Sequence, residues 1–224
     1  MTSGSRRTLV LVAALVAVLL VGAAGGMLIS TARTSDDSAP SAESIDVGFA
    51  QDMRVHHLQA VTMAGIERDN TADPILRGFA FDVESTQLAQ SSEMAGWLTV
   101  WGQPQLPDVG APHMQWMSEG GTHTHSNGEG GKTTGAVRRM PGMATSEELD
   151  KLRKLTGKEL DVFFLQLMLR HHEGGLEMAE YAADHASKGY VTNLASKIVQ
   201  SQENEANLMK SYLAERGAQP LPTQ

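Results

Sequence analysis

Two twelve-residue stretches carry the residues best suited to chemistry. "MRVHHLQAVTMA" covers 53–64 and "MLRHHEGGLEMA" covers 168–179, and each sets two adjacent histidines between two methionines. They match position by position at a spacing of 115, pairing Met53 with Met168, His56 with His171, His57 with His172, and Met63 with Met178. Met53 stands three and four residues before His56 and His57, one helical turn away, and Met63 lies two turns beyond His56 on the same side. Adjacent residues diverge by about 100° on a helix, so which histidine of each pair faces the core stays open. Imidazole and thioether together form a soft to borderline donor set. Thioethers select Cu(I), whereas imidazole accepts copper in either state.

A helical bundle that holds iron does so with Glu-x-x-His pairs on facing helices. Here the corresponding pairs are Met53-x-x-His56 and Met168-x-x-His171, and no histidine has a glutamate three residues before it. Exchanging carboxylate for thioether moves the preference from iron toward copper, as Cu(I) or Cu(II). The expected ligands are Met53, His56, His57, Met63, Met168, His171, His172 and Met178, converging from both copies in one buried layer.

The spacing of 115 extends well beyond these stretches, through Asp46/Asp161, Phe49/Phe164, Ala80/Ala195, Gln87/Gln202, Met94/Met209, Leu98/Leu213 and Gly102/Gly217. The body is therefore a duplicated unit of about 58 residues. In each unit apolar residues recur at steps of three and four, the period of two helices. "RDNTADP" separates them in the first unit, with Pro74 suited to the opening turn of the second helix. One helical hairpin cannot bury such stripes alone. Two hairpins predict an all-α four-helix bundle, with hairpin one at 45–103, a connection at 104–145 and hairpin two at 146–218.

Polar residues interrupt the companion helices' apolar stripes at Gln87, Gln90 and Met94, and again at Gln202, Glu205 and Met209. Counting outward from a hairpin midpoint near Asn70 sets Gln87 about level with Met53, and Glu84 with His57. These side chains are candidates for additional ligands or for acceptors that fix an imidazole tautomer. The connection supplies weaker candidates in His113, Met114, Met117, His123 and His125, a His/Met tract able to capture metal loosely or simply a linker. Its length permits a crossover between the second and third long helices. Near its end Thr145 and Glu148 make a capping-box pattern. Asp46 and Asp161 are expected to favour a helix N-terminus electrostatically.

Composition narrows the alternatives. The chain has 224 residues, no cysteine and twelve methionines. Disulfides and thiolate sites are excluded, and any soft ligand must be methionine. Of 18 basic side chains only Arg6 and Arg7 precede residue 33, so the remainder sets 16 bases against 26 acids. Such an acidic body argues against nucleic acid as a partner. Leu9 to Ile29 is an uncharged run, roughly 31 Å long as a helix, which matches a bilayer core. With Arg6 and Arg7 before it, the body is expected outside the cytoplasmic membrane. Residues 1–32 then form a transmembrane anchor through 9–29, or a signal cleaved near Ser30-Thr31-Ala32, and 33–44 form a polar tether. No nucleotide loop, nucleophile elbow or zinc-protease motif is present.

The repeated Asp-x-x-Phe-x-x-x-Met-x-x-His-His at 46–57 and 161–172, with "MPGMATSEEL" at 140–149, resembles a secreted bacterial family catalogued as domain of unknown function 305. The resemblance covers about 43–218. It implies a ferritin-like bundle outside the cytoplasmic membrane, with copper binding and tolerance through residues such as Met53, His56, His57, Met168, His171 and His172. One departure from the family pattern is Gly174-Gly175, where a helix-favouring small residue is usual. Mid-helix glycine costs roughly 1 kcal/mol relative to alanine, which predicts a looser second half-site. The expected function is copper buffering, transfer or tolerance without turnover. A ferritin-like redox enzyme, or a metal-free envelope interaction or stress domain with a His/Met core, are the alternatives. Bundles do bury histidine as a satisfied polar group and use methionine to fill gaps.

Overall fold

A computed structural model describes residues 38–118 and 136–222. The apolar stretch 9–29, expected to act as an anchor or signal, lies outside the described residues, as do His123 and His125. Among the described residues no helix is long and apolar enough to cross a membrane.

The described residues are all-helical, with helices α1 (Ile45–Asn70), α2 (Pro74–Val100), α3 (Ser146–Leu152), α4 (Gly157–His185) and α5 (Gly189–Glu215). A short 3-10 turn covers Gln115–Ser118. Local chemistry sets several of the boundaries. The Ser44 hydroxyl accepts from Val47 N at 3.3 Å to open α1, and Asp73 accepts from Ile75 N at 2.9 Å ahead of Pro74 to open α2. Thr145 and Glu148 form the reciprocal capping box of α3. Gly102 and Gly217, one repeat apart, both take φ +67° just past a helix end, a conformation that glycine adopts without a Cβ clash.

Helices α4 and α5 have no side-chain cap of their own. For α5, the cap comes from the other hairpin. Asp46 accepts from Ser187 N at 3.1 Å and Lys188 N at 2.8 Å, and from the Ser187 hydroxyl at 2.8 Å. Its repeat partner Asp161 accepts from Thr71 Oγ1 at 2.8 Å in the turn between α1 and α2. The start of each hairpin's first helix thus bonds the turn that ends the other's. These two contacts force α1 and α4 to run antiparallel.

Topology follows directly. If α1 runs up, α2 runs down, α4 runs down and α5 runs up, so α2 and α4 point the same way and their connection must travel the length of the bundle. This is the crossover that its length permits. Anchors along α1 mark its course. Asp52 accepts from Met114 N at 2.7 Å and the Trp116 indole at 2.9 Å, and Gln59 exchanges a pair of bonds with the Ala144 backbone, 3.0 Å and 2.7 Å. Trp116 lies over Gly48, where a Cβ would collide with its ring. The two ends of the central segment meet in an isolated antiparallel bridge, His113 with Val137.

The apolar core divides in two. One cluster holds Phe49, Met53, Met94, Leu98, Met178, Ala182 and Ile198. The other holds Met63, Leu76, Phe79, Phe164, Met168 and Met209. Glu67, fully buried, reaches toward Asp161 beyond the second cluster. Burial first, and the Asp161 charge second, push its carboxyl up to about 8. Glu67 therefore carries its proton in the fold at neutral pH. An acid whose folded value is raised binds a proton that the unfolded chain has released, so its contribution is complete at acid pH and is lost as pH rises toward the folded value. Glu67→Gln should remove that loss. In thermal melts the stability of the wild type relative to this variant should fall steadily between about pH 5 and pH 8, and a constant difference would show that Glu67 is ionised in the fold.

Candidate metal centre

The two halves of the core are separated by a polar layer. His56, His57, His171 and His172 are all fully buried there. The imidazoles of His56 and His171 face each other across the α1/α4 contact with ring centroids 3.7 Å apart and planes tilted by 32°, while His171 and His172 lie at 6.4 Å. The open question of which histidine faces the core is resolved: both of each pair do. His56 and His171 sit at the helix contact, and His57 and His172 turn toward the companion helices.

One nitrogen of each ring is used. His171 Nε2 donates to the His56 carbonyl at 3.1 Å, and His56 Nε2 to the Pro141 carbonyl at 3.3 Å. His57 Nε2 donates to Gln90 Oε1 at 2.8 Å, and His172 Nε2 to Glu205 Oε2 at 2.6 Å. Carbonyl and carboxylate oxygens only accept, so Nε2 is the protonated nitrogen in every ring. Among the described residues the four Nδ1 atoms, all buried, have no hydrogen-bond partner, nor do the amide groups of Gln87 and Gln202. A proton on any of these Nδ1 atoms would be a buried donor without an acceptor. Burial, then neighbouring imidazoles, hold His56 down at about 3 and His171 well below the ordinary 6.5. His57 is held at about 4, again chiefly by burial. The layer thus presents lone pairs inside the bundle, at a cost of about 1–3 kcal/mol for each polar group left unsatisfied.

The thioethers lie in two groups, one on each side of the imidazoles. Met53, Met94 and Met178 lie in the first core cluster, and Met63, Met168 and Met209 in the second. Antiparallel packing is the reason. It relates the two hairpins by an approximate two-fold axis through the histidines, so equivalent methionines fall on opposite sides of that axis. From the connection, Met114, Met117 and Met140 join the first cluster. Among the described residues no group of three or more His, Asp or Glu side chains is arranged to hold a metal ion. A cation in the layer would draw on thioether or amide donors beside the imidazoles.

The companion helices meet the layer at a different level from that counted out along the chain. The acceptor for His57 is Gln90, whereas Glu84 is ion-paired with Arg68 near the outer surface. The turn spans Thr71–Asp73 rather than centring on Asn70, which shifts α2 along α1. Gln87 and Gln202 do enter the core, as their interruption of an apolar stripe predicts. His113 bonds instead to the buried Asp52, one turn before His56 on α1, which accepts from its Nδ1 at 2.6 Å. Three contributors have no signature in the repeat: Asp52 and Gln59, which anchor the connection, and Arg170. The buried Arg170 guanidinium makes two bonds to the Glu148 carboxylate, at 2.9 Å and 2.7 Å, which foremost hold that carboxyl below its usual range.

Gly174 and Gly175 tighten the second half-site instead of loosening it. A Cβ on Gly174 would collide with the backbone of Pro141 and Gly142, and one on Gly175 would come within 2.9 Å of both His56 Cε1 and Gln202 Oε1. The bare backbone at Gly174 lets the connection lie on α4 and brings Pro141, whose carbonyl accepts from His56, into reach, while that at Gly175 admits the His56 ring and the Gln202 amide. The adjoining Gly142 takes φ +75° with its Cα hydrogens against the Arg170 carbonyl.

The family model of the domain of unknown function DUF305 matches residues 46–213. No curated protein matches the chain. Among solved structures, a presumptive secreted DUF305 protein from Streptomyces coelicolor is 42% identical, with a TM-score of 0.70 over 81% of this chain and 99% of that one. A DUF305 fragment from Deinococcus radiodurans is 28% identical, with a TM-score of 0.61 over 80% and 99%. CopM in its Cu(I)-bound form is 20% identical, with a TM-score of 0.55 over 76% and 96%, a likeness of fold alone.

Gly174→Ala should forgo the roughly 1 kcal/mol that alanine brings to a helix and instead lower stability by about 1–3 kcal/mol through overpacking. Gly78→Ala and Gly96→Ala, with open space around both, should each stabilise by about 0.5–1 kcal/mol. Urea unfolding of the three variants checks both signs, and a stabilised Gly174→Ala would show that the connection does not rest on α4.

Proposed function

Because the chain belongs to the DUF305 family, with its model matching 46–213, we propose that it is a copper-binding protein of the cell exterior that buffers or hands on copper without turnover. One observation carries the reading: four buried imidazoles whose Nε2 atoms are all engaged and whose Nδ1 lone pairs find no partner among the described residues. The donor chemistry fits copper. Neutral imidazole nitrogens with methionine sulfurs on both sides suit a soft or borderline cation more than iron or manganese, which favour carboxylate-rich sets. The donors His56, His57, His171 and His172, with Met53 and Met178 on one side and Met63 and Met168 on the other, would hold the ion. Gln87 and Gln202 offer amide oxygens at the same depth.

Two comparisons support the assignment. CopM has been captured with Cu(I), with Cu(II) and with silver, and the relative from Streptomyces coelicolor is described as a presumptive secreted protein. The uncharged stretch 9–29 agrees with export, whether it is retained as an anchor or removed.

Replacing His56, His57, His171 and His172 together with leucine should keep the helical circular dichroism, since apolar side chains remove the unsatisfied nitrogens. Copper uptake from a competing chelator should fall by at least about two orders of magnitude, of the size seen when groups supporting a metal site are lost. A folded variant that takes up as much copper as the wild type would move the site away from the histidines, and a wild type that takes up none would leave the metal-free interaction domain as the better reading. Steady oxygen consumption by the copper-loaded wild type would instead favour a redox enzyme.

A further inference from the structure

The duplicated layer is symmetric in its imidazoles but not in what they bond. His57 Nε2 donates to Gln90 Oε1 at 2.8 Å, and at the equivalent place 115 residues on, His172 Nε2 donates to Glu205 Oε2 at 2.6 Å. Gln90 and Glu205 occupy equivalent positions on α2 and α5, so a single amide-to-carboxylate difference separates the halves. Both acceptors reach inward from partly exposed positions, with the Glu205 side chain 22% exposed and His172 fully buried.

The electrostatic consequence is one-sided. An imidazole that donates to a carboxylate becomes a more basic ligand at its other nitrogen, with its ring orientation fixed. The carboxylate also places a negative charge about one ring's width from that nitrogen. Net charge in a buried site is costly, so a divalent ion gains more than a monovalent ion from a nearby anion. In the half built on His57 the acceptor is the neutral Gln90 amide, a setting that suits Cu(I). The half built on His172 and Glu205 compensates the second charge of Cu(II).

From this asymmetry we infer that Glu205 is a positioning residue that gives the histidine layer its affinity for divalent copper, acting through His172 rather than by binding the ion. This rests on the copper reading above. It adds that the two halves are not interchangeable, and that the oxidation state held is set by one side chain on α5.

The test uses the full chain with Glu205→Gln, Glu205→Asp and Gln90→Glu, titrated with Cu(II) and separately with Cu(I) against competing chelators. Glu205→Gln should weaken Cu(II) binding by at least about tenfold while changing Cu(I) binding by less than about threefold. That raises the reduction potential of the bound copper by about 59 mV for each factor of ten. Glu205→Asp should recover part of the loss, and Gln90→Glu should strengthen Cu(II) binding and lower the potential. In the metal-free protein, Glu205→Gln should move the NMR signal of the His172 Nε2 proton upfield and leave that of His57 in place.

Equal weakening of Cu(I) and Cu(II) would reduce Glu205 to a structural support, and unchanged binding of both would remove its role altogether. Either result overturns the inference while the copper reading stands. Failure of the wild type to take up copper in either state overturns the copper reading and this inference with it. Should Glu205→Gln not fold, Gln90→Glu decides alone, and no gain in Cu(II) binding there counts against the proposal.

Discussion

Everything in this protein depends on the antiparallel contact of α1 with α4. Asp46 bonding the turn at Ser187 and Lys188, and Asp161 bonding Thr71, hold the two helices in register, one bond set at each end. Only in that register do His56 and His171 meet face to face and each find a carbonyl for its Nε2. A slip of one turn, about 5.4 Å, would leave both nitrogens of each ring unsatisfied and set imidazoles against apolar side chains. The polar layer therefore selects the alignment of the hairpins, while the apolar clusters on either side supply most of the driving force.

The layer is half satisfied, and its connection is part of it. A crossover that merely joined two hairpins would need no contact with the core. Here Pro141 supplies the acceptor for His56, Gln59 clamps Ala144, and Asp52 gathers Met114, Trp116 and His113. Glycine at 48, 142 and 174 clears the path, because each stands where a Cβ would strike across the contact. The protein thus satisfies one nitrogen of each ring, that of His56 with backbone of the connection, and leaves the other nitrogen facing the interior. A fully satisfied core would have been easier to build from leucine, at no desolvation cost.

The fold was largely legible in the chain. A repeat of 115 with three- and four-residue spacing implied two hairpins, and the breaks at Pro74, Gly102 and Gly217 marked their helices. The capping box at Thr145 was visible because a cap is a local interaction between near neighbours in sequence. The site was legible only in its residue types. Nothing in the repeat pointed to Asp52, Gln59 or Arg170, since each bonds a segment 22 to 85 residues away in sequence and has no local pattern. Glu84 and Gln90 exchange roles with respect to His57 because the length and position of the turn set the register of α2, and turn geometry is poorly encoded by periodicity.

By itself, then, the sequence determined the donor chemistry: imidazoles and thioethers in duplicate, no thiols, no Glu-x-x-His, on helices that must hide them. Only the tertiary structure decided the direction of each donor. Antiparallel symmetry sends equivalent methionines to opposite ends and brings equivalent histidines to the same centre, and it turns Gly174 and Gly175 from weak points into contact points. The physical reason is that helical periodicity specifies which face a side chain occupies, while distance across the bundle depends on relative helix direction, offset and the path of the connection, all set by bonds between residues remote in sequence.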